Sequence, residues 1–264
     1  MTGKTSLYLY GITNAEADTL RPALDGVAGA TSGAPEPLPC GAATVIVGAH
    51  DGAELMQTRR RMLAHTRVLE RAMEASTVLP MRFGVVADDA AAVRMLVETH
   101  QEEIAAQISR LDGHAEIGLR VRVSREGALD ALLAAHPDLA ATRDRLAGRG
   151  PEAHFERIDL GRRVAETLER RRTDAQRRLA GLLDRLCPDH VLRAPEEDTE
   201  ILRAECLLPS GGETAFAAEI EAAAAAIDFA GAEEPVVQLV GPAPPFHFVS
   251  LALQPAGPTA SEAV

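Results

Sequence analysis

The chain has 264 residues, 46% hydrophobic and 25% charged, with a formal net charge of -12 at neutral pH. That is enough apolar material for one large or two modest cores, and the acidic balance argues against nucleic acid held by phosphate neutralisation. Cys40, Cys187 and Cys206 lack the paired spacing of a disulfide framework or zinc knuckle, the N-terminal apolar run is too short for a signal sequence, and no stretch reaches the roughly 18 apolar residues of a membrane span.

In chain order, Ser6–Ile12 alternates as a strand, a helix is expected around Asn14–Leu24, and Gly26 to Pro39 reads as a turn-rich loop crowded with Gly and Pro. Ala42–Gly48 is a β-branched strand. Asp51 can cap a helix over 52–75, where Leu55, Met62, Leu69 and Met73 recur at near-heptad intervals. The next segment, 77–86, is read as a strand because Pro80 forces Leu79 into an extended conformation. Alternation then places Leu79, Met81, Phe83 and Val85 on a core face, with Val78, Pro80 and Arg82 opposite. Asp88 and Asp89 open a helix to about Leu111, and Asp112-Gly113 marks a break.

Beyond it the order is strand (116–123), a long helical region (125–187), a short strand near 191–194, strand (200–208), helix (213–228) and strand (235–241). This is the β-α-β-β-α-β order of a ferredoxin-like fold, with one helix expanded into a hairpin broken at Leu146–Glu152. Leu160, Val164, Leu168, Ala175, Leu179, Leu182 and Leu186 form one helix face, and the Arg and Glu residues the other. The fold class is therefore α+β in two domains: an N-terminal domain over 1–113 with a small mixed sheet, and a ferredoxin-like domain over 114–253. The Pro/Ala/Gly/Ser-rich tail, 254–264, is expected to be disordered.

No catalytic set emerges. There is no Gly-x-Ser-x-Gly elbow and no phosphate loop ending in Gly-Lys-Ser/Thr, and Cys187-Pro-Asp-His190 is two ligands short of a metal site. No cofactor or metal is expected, and His65 and His247 read as surface or packing residues. The nine arginines against seven acidic residues over 151–188 read as a solvated helix face. Arg82 stands out in a largely apolar strand, either paired by a carboxylate from a neighbouring helix or reaching a partner surface. Pro242, Pro244 and Pro245 remove three backbone donors, so 241–249 must be an edge or an extended arm, with Phe246 and Phe248 on one side. Such an arm either latches the two domains or docks another chain.

Three segments, Ser6-Leu-Tyr-Leu-Tyr-Gly-Ile12, Ser76-Thr-Val-Leu-Pro-Met-Arg-Phe-Gly-Val-Val86 and Gly241-Pro-Ala-Pro-Pro-Phe-His-Phe-Val249, occur in the order and at the separations that resemble the gas vesicle protein F/L family. The third departs from the family's usual Gly-Pro-Trp-Pro-Pro-Tyr-Ser-Phe at Ala243, Phe246 and His247. The resemblance implies a non-catalytic, cytoplasmic minor protein that associates with the small hydrophobic shell protein, and with other minor vesicle proteins, during shell nucleation and assembly. The motif residues Tyr8, Tyr10, Leu79, Pro80, Arg82, Phe83, Gly84, Pro242, Pro244, Pro245, Phe246 and Phe248 are the expected interaction set. A regulatory small-molecule binder and an enzyme with a cleft between its domains are the alternatives.

Overall fold

A strand covered on both faces loses the alternation of a half-solvated one, and Ser6–Thr13 (β1) has that character, with every residue from Tyr8 to Thr13 buried. The computed structural model describes residues 6–52, 54–227 and 233–251. On one side β1 pairs antiparallel with Ala43–His50 (β3), from Ser6↔His50 to Thr13↔Thr44. On the other it pairs antiparallel with Val78–Pro80 (β4) and Val86–Ala87 (β5). The register slips between Leu9 and Gly11, and a Cβ on Gly11 would lie 2.8 Å from both Leu69 Cδ2 and Val78 Cγ1. Glycine at the bulge is what allows a helix and a strand to approach β1 so closely.

Pro35–Cys40, expected to be loop, is an edge strand (β2) antiparallel to β3. Its sequence, Pro-Glu-Pro-Leu-Pro-Cys, places proline at every second residue. Proline cannot donate to a ladder, so with β3 paired on one side, the alternate residues Pro35, Pro37 and Pro39 leave the outer edge of β2 without N–H donors for a further strand. The sheet order is β2-β3-β1-β4, with β5 beside β1. The sheet is therefore antiparallel at these pairings rather than mixed. Strands β3 and β4 run parallel to each other but are separated by β1, which their connecting helix crosses.

That helix, α2 (Arg59–Met73), starts later than expected and is capped by Thr58, whose hydroxyl accepts the Arg61 N–H, not by Asp51. It packs with α1 (Ala17–Leu24), and the core on this side joins Tyr8, Tyr10, Leu20, Leu24, Val68, Leu69 and Ala72. Helices α3 (Ala90–Thr99) and α4 (Gln101–Leu111) follow, α3 capped by Asp89. Both α2 and α4 touch β4, so Val78 through Met81 are buried without alternation. The expected strand 77–86 is thus broken: the chain leaves the sheet after Met81, turns through Gly84 at φ 96°, and rejoins at β5.

The second half contains β6 (His114–Arg122), α5 (Arg125–Ala135), α6 (Pro137–Ala147), a 3-10 turn at 151–153, α7 (His154–Leu186), β7 (His190–Leu192), β8 (Glu200–Pro209), α8 (Glu213–Ala225) and β9 (Val236–Ala243). Strand order is β7-β8-β6-β9. Counted from its own first strand, each half has the same order, 2-3-1-4, so the ferredoxin-like pattern expected of the second half is also present in the first. The core of this half joins Ile117, Leu119 and Val121 of β6, Leu179 and Leu183 of α7, Ile201 and Cys206 of β8, and Phe216 and Ile220 of α8. The helical region is three helices rather than a hairpin of two, because Pro137 starts a new helix after His136. As expected, Ala175, Leu179 and Leu182 are buried, and Leu160, Val164 and Leu168 pack on Leu132 and Leu139.

The described residues up to Glu116, together with those from Pro242, form one compact unit, and Ile117 to Gly241 form the other. The sequence boundary at 113/114 assigned everything to 253 to the second domain. Residues 242–251 instead pack within the first. The tail over 254–264 lies outside the described residues.

Candidate functional site

Tyr8 and Tyr10 lie one strand period apart on β1 and point toward α2, both fully buried. They are the chain's two tyrosines, and a buried phenol needs a partner. The Tyr10 hydroxyl accepts the Ala30 N–H at 2.8 Å, in a slot where a Cβ on Gly29 would lie 2.5 Å from that oxygen. The Tyr8 hydroxyl is 2.7 Å from His65 Nδ1, and His65 Nε2 is 3.0 Å from the Met81 carbonyl. A carbonyl only accepts, so Nε2 carries the proton, Nδ1 accepts, and Tyr8 donates. One neutral tautomer satisfies every group.

Burial enforces that state. It lowers His65 to about 4, with the bond to Met81 opposing, and it raises both tyrosines, most strongly Tyr8, against a hydrogen bond from the Gly84 backbone. At neutral pH the pair therefore offers neither a charged imidazole nor a phenolate. Around it the rings form a nest: Tyr10 stacks on His65 at 5.4 Å, Tyr8 meets Tyr10 edge-on at 4.8 Å, Phe83 lies 5.9 Å from Tyr8, and Phe246 lies 6.2 Å from His65. With six Phe, two Tyr and no Trp in the chain, half of its aromatic residues are gathered here. Such pairs contribute roughly 0.5–1.5 kcal/mol each beyond the area they bury.

The nest is where the three motif segments meet. Tyr8 and Tyr10 come from the first, Phe83 and the Gly84 turn from the second, and Phe246 from the third. Leu79, Pro80, Pro244, Pro245 and Phe248 are buried, Pro242 is exposed, and Phe246 sits at the rim with 36% exposure. Phe246 and Phe248 do not share a strand face as expected, because 246–248 is a turn closed by bonds from the Phe246 and Phe248 N–H groups to the Pro244 and Pro245 carbonyls. The turn is anchored to its unit. His247 gives its N–H and Nδ1 to the two oxygens of buried Glu116, at 2.9 and 2.7 Å, Arg110 donates to the Phe248 carbonyl, and Gln107 to Ser250. These contacts hold 242–251 in the first unit, and His247, one of the motif departures, makes the best-defined of them.

Arg82 is not brought into the nest. It is exposed and, among the described residues, has no ion pair, so of the two readings of Arg82 the neighbouring carboxylate is not found. His65 is the residue that sequence reading undervalued. It shares with Val68, Leu69 and Ala72 the i, i+3, i+4, i+7 spacing of a buried face, and that spacing was a sufficient signal. A second feature of this unit is a groove of about 290 Å³ between α4 and the β2–β3 turn, walled by Cys40, Ala43, Val97, Ile104 and Ile108, with Glu98 among its polar groups.

These observations define a two-unit α+β protein whose three motif segments meet in a buried, neutral aromatic hub. Residues 6–250 match the family model described as gas vesicle synthesis protein GvpL/GvpF, and the chain belongs to that family. It is 28% identical over 248 residues to gas vesicle protein F of Streptomyces sp. (strain CB03234), covering 92% of this chain and 99% of that protein. It is also 28% identical to gas vesicle protein F of Microcystis aeruginosa (strain PCC 7806) over 170 residues, 63% of this chain and 69% of that protein. Its fold matches the crystal structure of GvpF from Anabaena sp. PCC7120 with a TM-score of 0.73 at 23% identity, over 94% of this chain and 99% of that one. The GvpF structure from Microcystis aeruginosa matches with a TM-score of 0.65 at 24% identity, over 93% and 99%. The role of the chain is accordingly tied to gas vesicles. Among the described residues no helix is long and apolar enough to cross a membrane.

Proposed function

We propose that this protein is a non-catalytic assembly factor of gas vesicles: it acts in the cytoplasm, binds the hydrophobic shell protein, and assists nucleation and growth of the shell, alongside other minor vesicle proteins. The observation that carries this reading is the family match over 6–250 together with the convergence of its three motif segments on a hub that is buried and neutral. Motif residues that bury rings and fix a turn preserve a shape; those of an enzyme would present titrating groups to a cleft. Association with a hydrophobic shell protein rests on apolar contact, since a chain of charge -12 would otherwise need a basic partner. The test is deletion and complementation in a vesicle-forming host. Loss of vesicles restored by the intact gene supports the proposal, and normal vesicles in the deletion strain overturn it.

A further inference from the structure

Some exposed arginines of this chain are paired, and others, Arg178 and Arg185 of α7 among them, have no carboxylate partner among the described residues. On α7, Arg162, Arg172 and Arg177 each meet a carboxylate of their own helix at 2.6–2.8 Å, and Arg163 meets Asp138 of α6 at 2.8 Å. On α2, Arg71 pairs with Glu74, while Arg59, Arg60 and Arg67 have no carboxylate partner among the described residues. The first turn of α2 contains no acidic residue, and the Arg61 guanidinium is taken up by the Met56 carbonyl.

The unpaired guanidiniums of α2 surround an apolar side chain. Leu63 is 60% exposed, and on a helix its neighbours are the residues three and four away: Arg59, Arg60 and Arg67. It lies opposite the buried face formed by His65, Val68, Leu69 and Ala72. Met62, about 100° round the helix from Leu63, is 43% exposed, and Met56, before the helix begins, is 65% exposed. An exposed helix face is ordinarily polar. This one shows a leucine inside a triangle of unmatched cations.

We propose that the N-terminal half of α2 is a docking surface for an acidic amphipathic helix of a partner protein, whose apolar side chains cover Leu63 and whose carboxylates pair with Arg59, Arg60 and Arg67. Residues 59 to 67 rise about 12 Å along the axis, close to the diameter of one crossing helix. A polyanion such as nucleic acid would satisfy the arginines but leave Leu63 in water. An anionic membrane would cover the apolar side chains but would also press exposed Glu54, Glu70 and Glu74 against like charge. A narrow acidic helix avoids both faults. This surface is separate from the apolar association with the shell protein, and it stands or falls independently of it.

The test uses the full chain and two synthetic helical peptides with the same leucine stripe, one flanked by glutamates and one by lysines. Fluorescence anisotropy should show the wild type binding the glutamate peptide at least tenfold more tightly than the lysine peptide, with affinity falling as salt rises. The R59E/R60E/R67E variant should reverse that preference, and Leu63→Ser should weaken the glutamate peptide several-fold. Circular dichroism melts within a few degrees of wild type confirm that both variants fold, as substitutions on an exposed face should. Equal binding of the two peptides, or the same preference in wild type and triple variant, overturns the proposal. So does binding of phosphatidylserine vesicles, or self-association lost on Leu63→Ser, in a protein that ignores the glutamate peptide.

Discussion

Protonating His65 should be a principal route by which mild acid destabilises the first unit. Its imidazole is 2% exposed, and burial holds it at about 4 against an ordinary 6.5. Because the folded value is the lower one, the unfolded chain binds the proton more readily, and stability falls as pH falls from 6.5 toward 4. The contribution is fully present above pH 6.5 and is exhausted below about 4. At about 1.4 kcal/mol per pH unit, the window amounts to about 3 kcal/mol, a large part of the stability of an ordinary domain. The assay is a set of urea melts at pH 7, 6, 5 and 4.5 on the wild type and His65→Gln, read as the difference between the two proteins. That difference cancels the other titrating groups and should shrink by about 1 kcal/mol for each pH unit below 6.5. Parallel pH profiles would refute the reasoning, since they would mean that His65 is either solvated or already charged.

Three stability measurements check the surrounding packing. Gly11→Ala forces a methyl to within 2.8 Å of Leu69 and Val78 and 2.9 Å of the Leu79 carbonyl, and should cost roughly 1–3 kcal/mol in urea melts; a loss under about 0.5 kcal/mol would place α2 and β4 farther from the bulge. Phe83→Ala should cost about 2 kcal/mol, less than the usual fully buried aromatic, because the ring is half-buried and meets Tyr8 and His65 edge-on. Phe155→Ala, at a position 81% exposed on the first turns of α7, should change stability by less than about 0.5 kcal/mol. A larger loss there would mean that the side chain is covered.

What could be read in advance followed periodicity. The stripe on α7 placed Ala175, Leu179 and Leu182 correctly, because a helix in contact with a core along its length must repeat its apolar residues at helical spacing. β2 was missed because proline and glycine are turn signals in isolation, and only the presence of β3 on one side makes alternate prolines compatible with a strand. The 77–86 segment failed for the opposite reason. Alternation presumes one solvated face, whereas β4 is touched by helices α2 and α4, and a positive φ at Gly84 then breaks the register. The nest around His65 was half legible: each segment was visible, but that they converge depends on pairings across dozens of residues, such as Tyr8 with His65 and His247 with Glu116. The return of 242–251 to the first unit has the same origin, since its prolines marked an arm without marking where the arm would bind.

The most direct test of the proposed assembly role is co-purification of the intact protein with the gas vesicle shell protein at low salt and again at about 0.5 M salt, where exposed charges more than about 5 Å apart are screened. An apolar association predicts that the shell protein is retained at both concentrations. Failure to retain it at low salt would contradict the account, and loss confined to high salt would contradict its apolar basis.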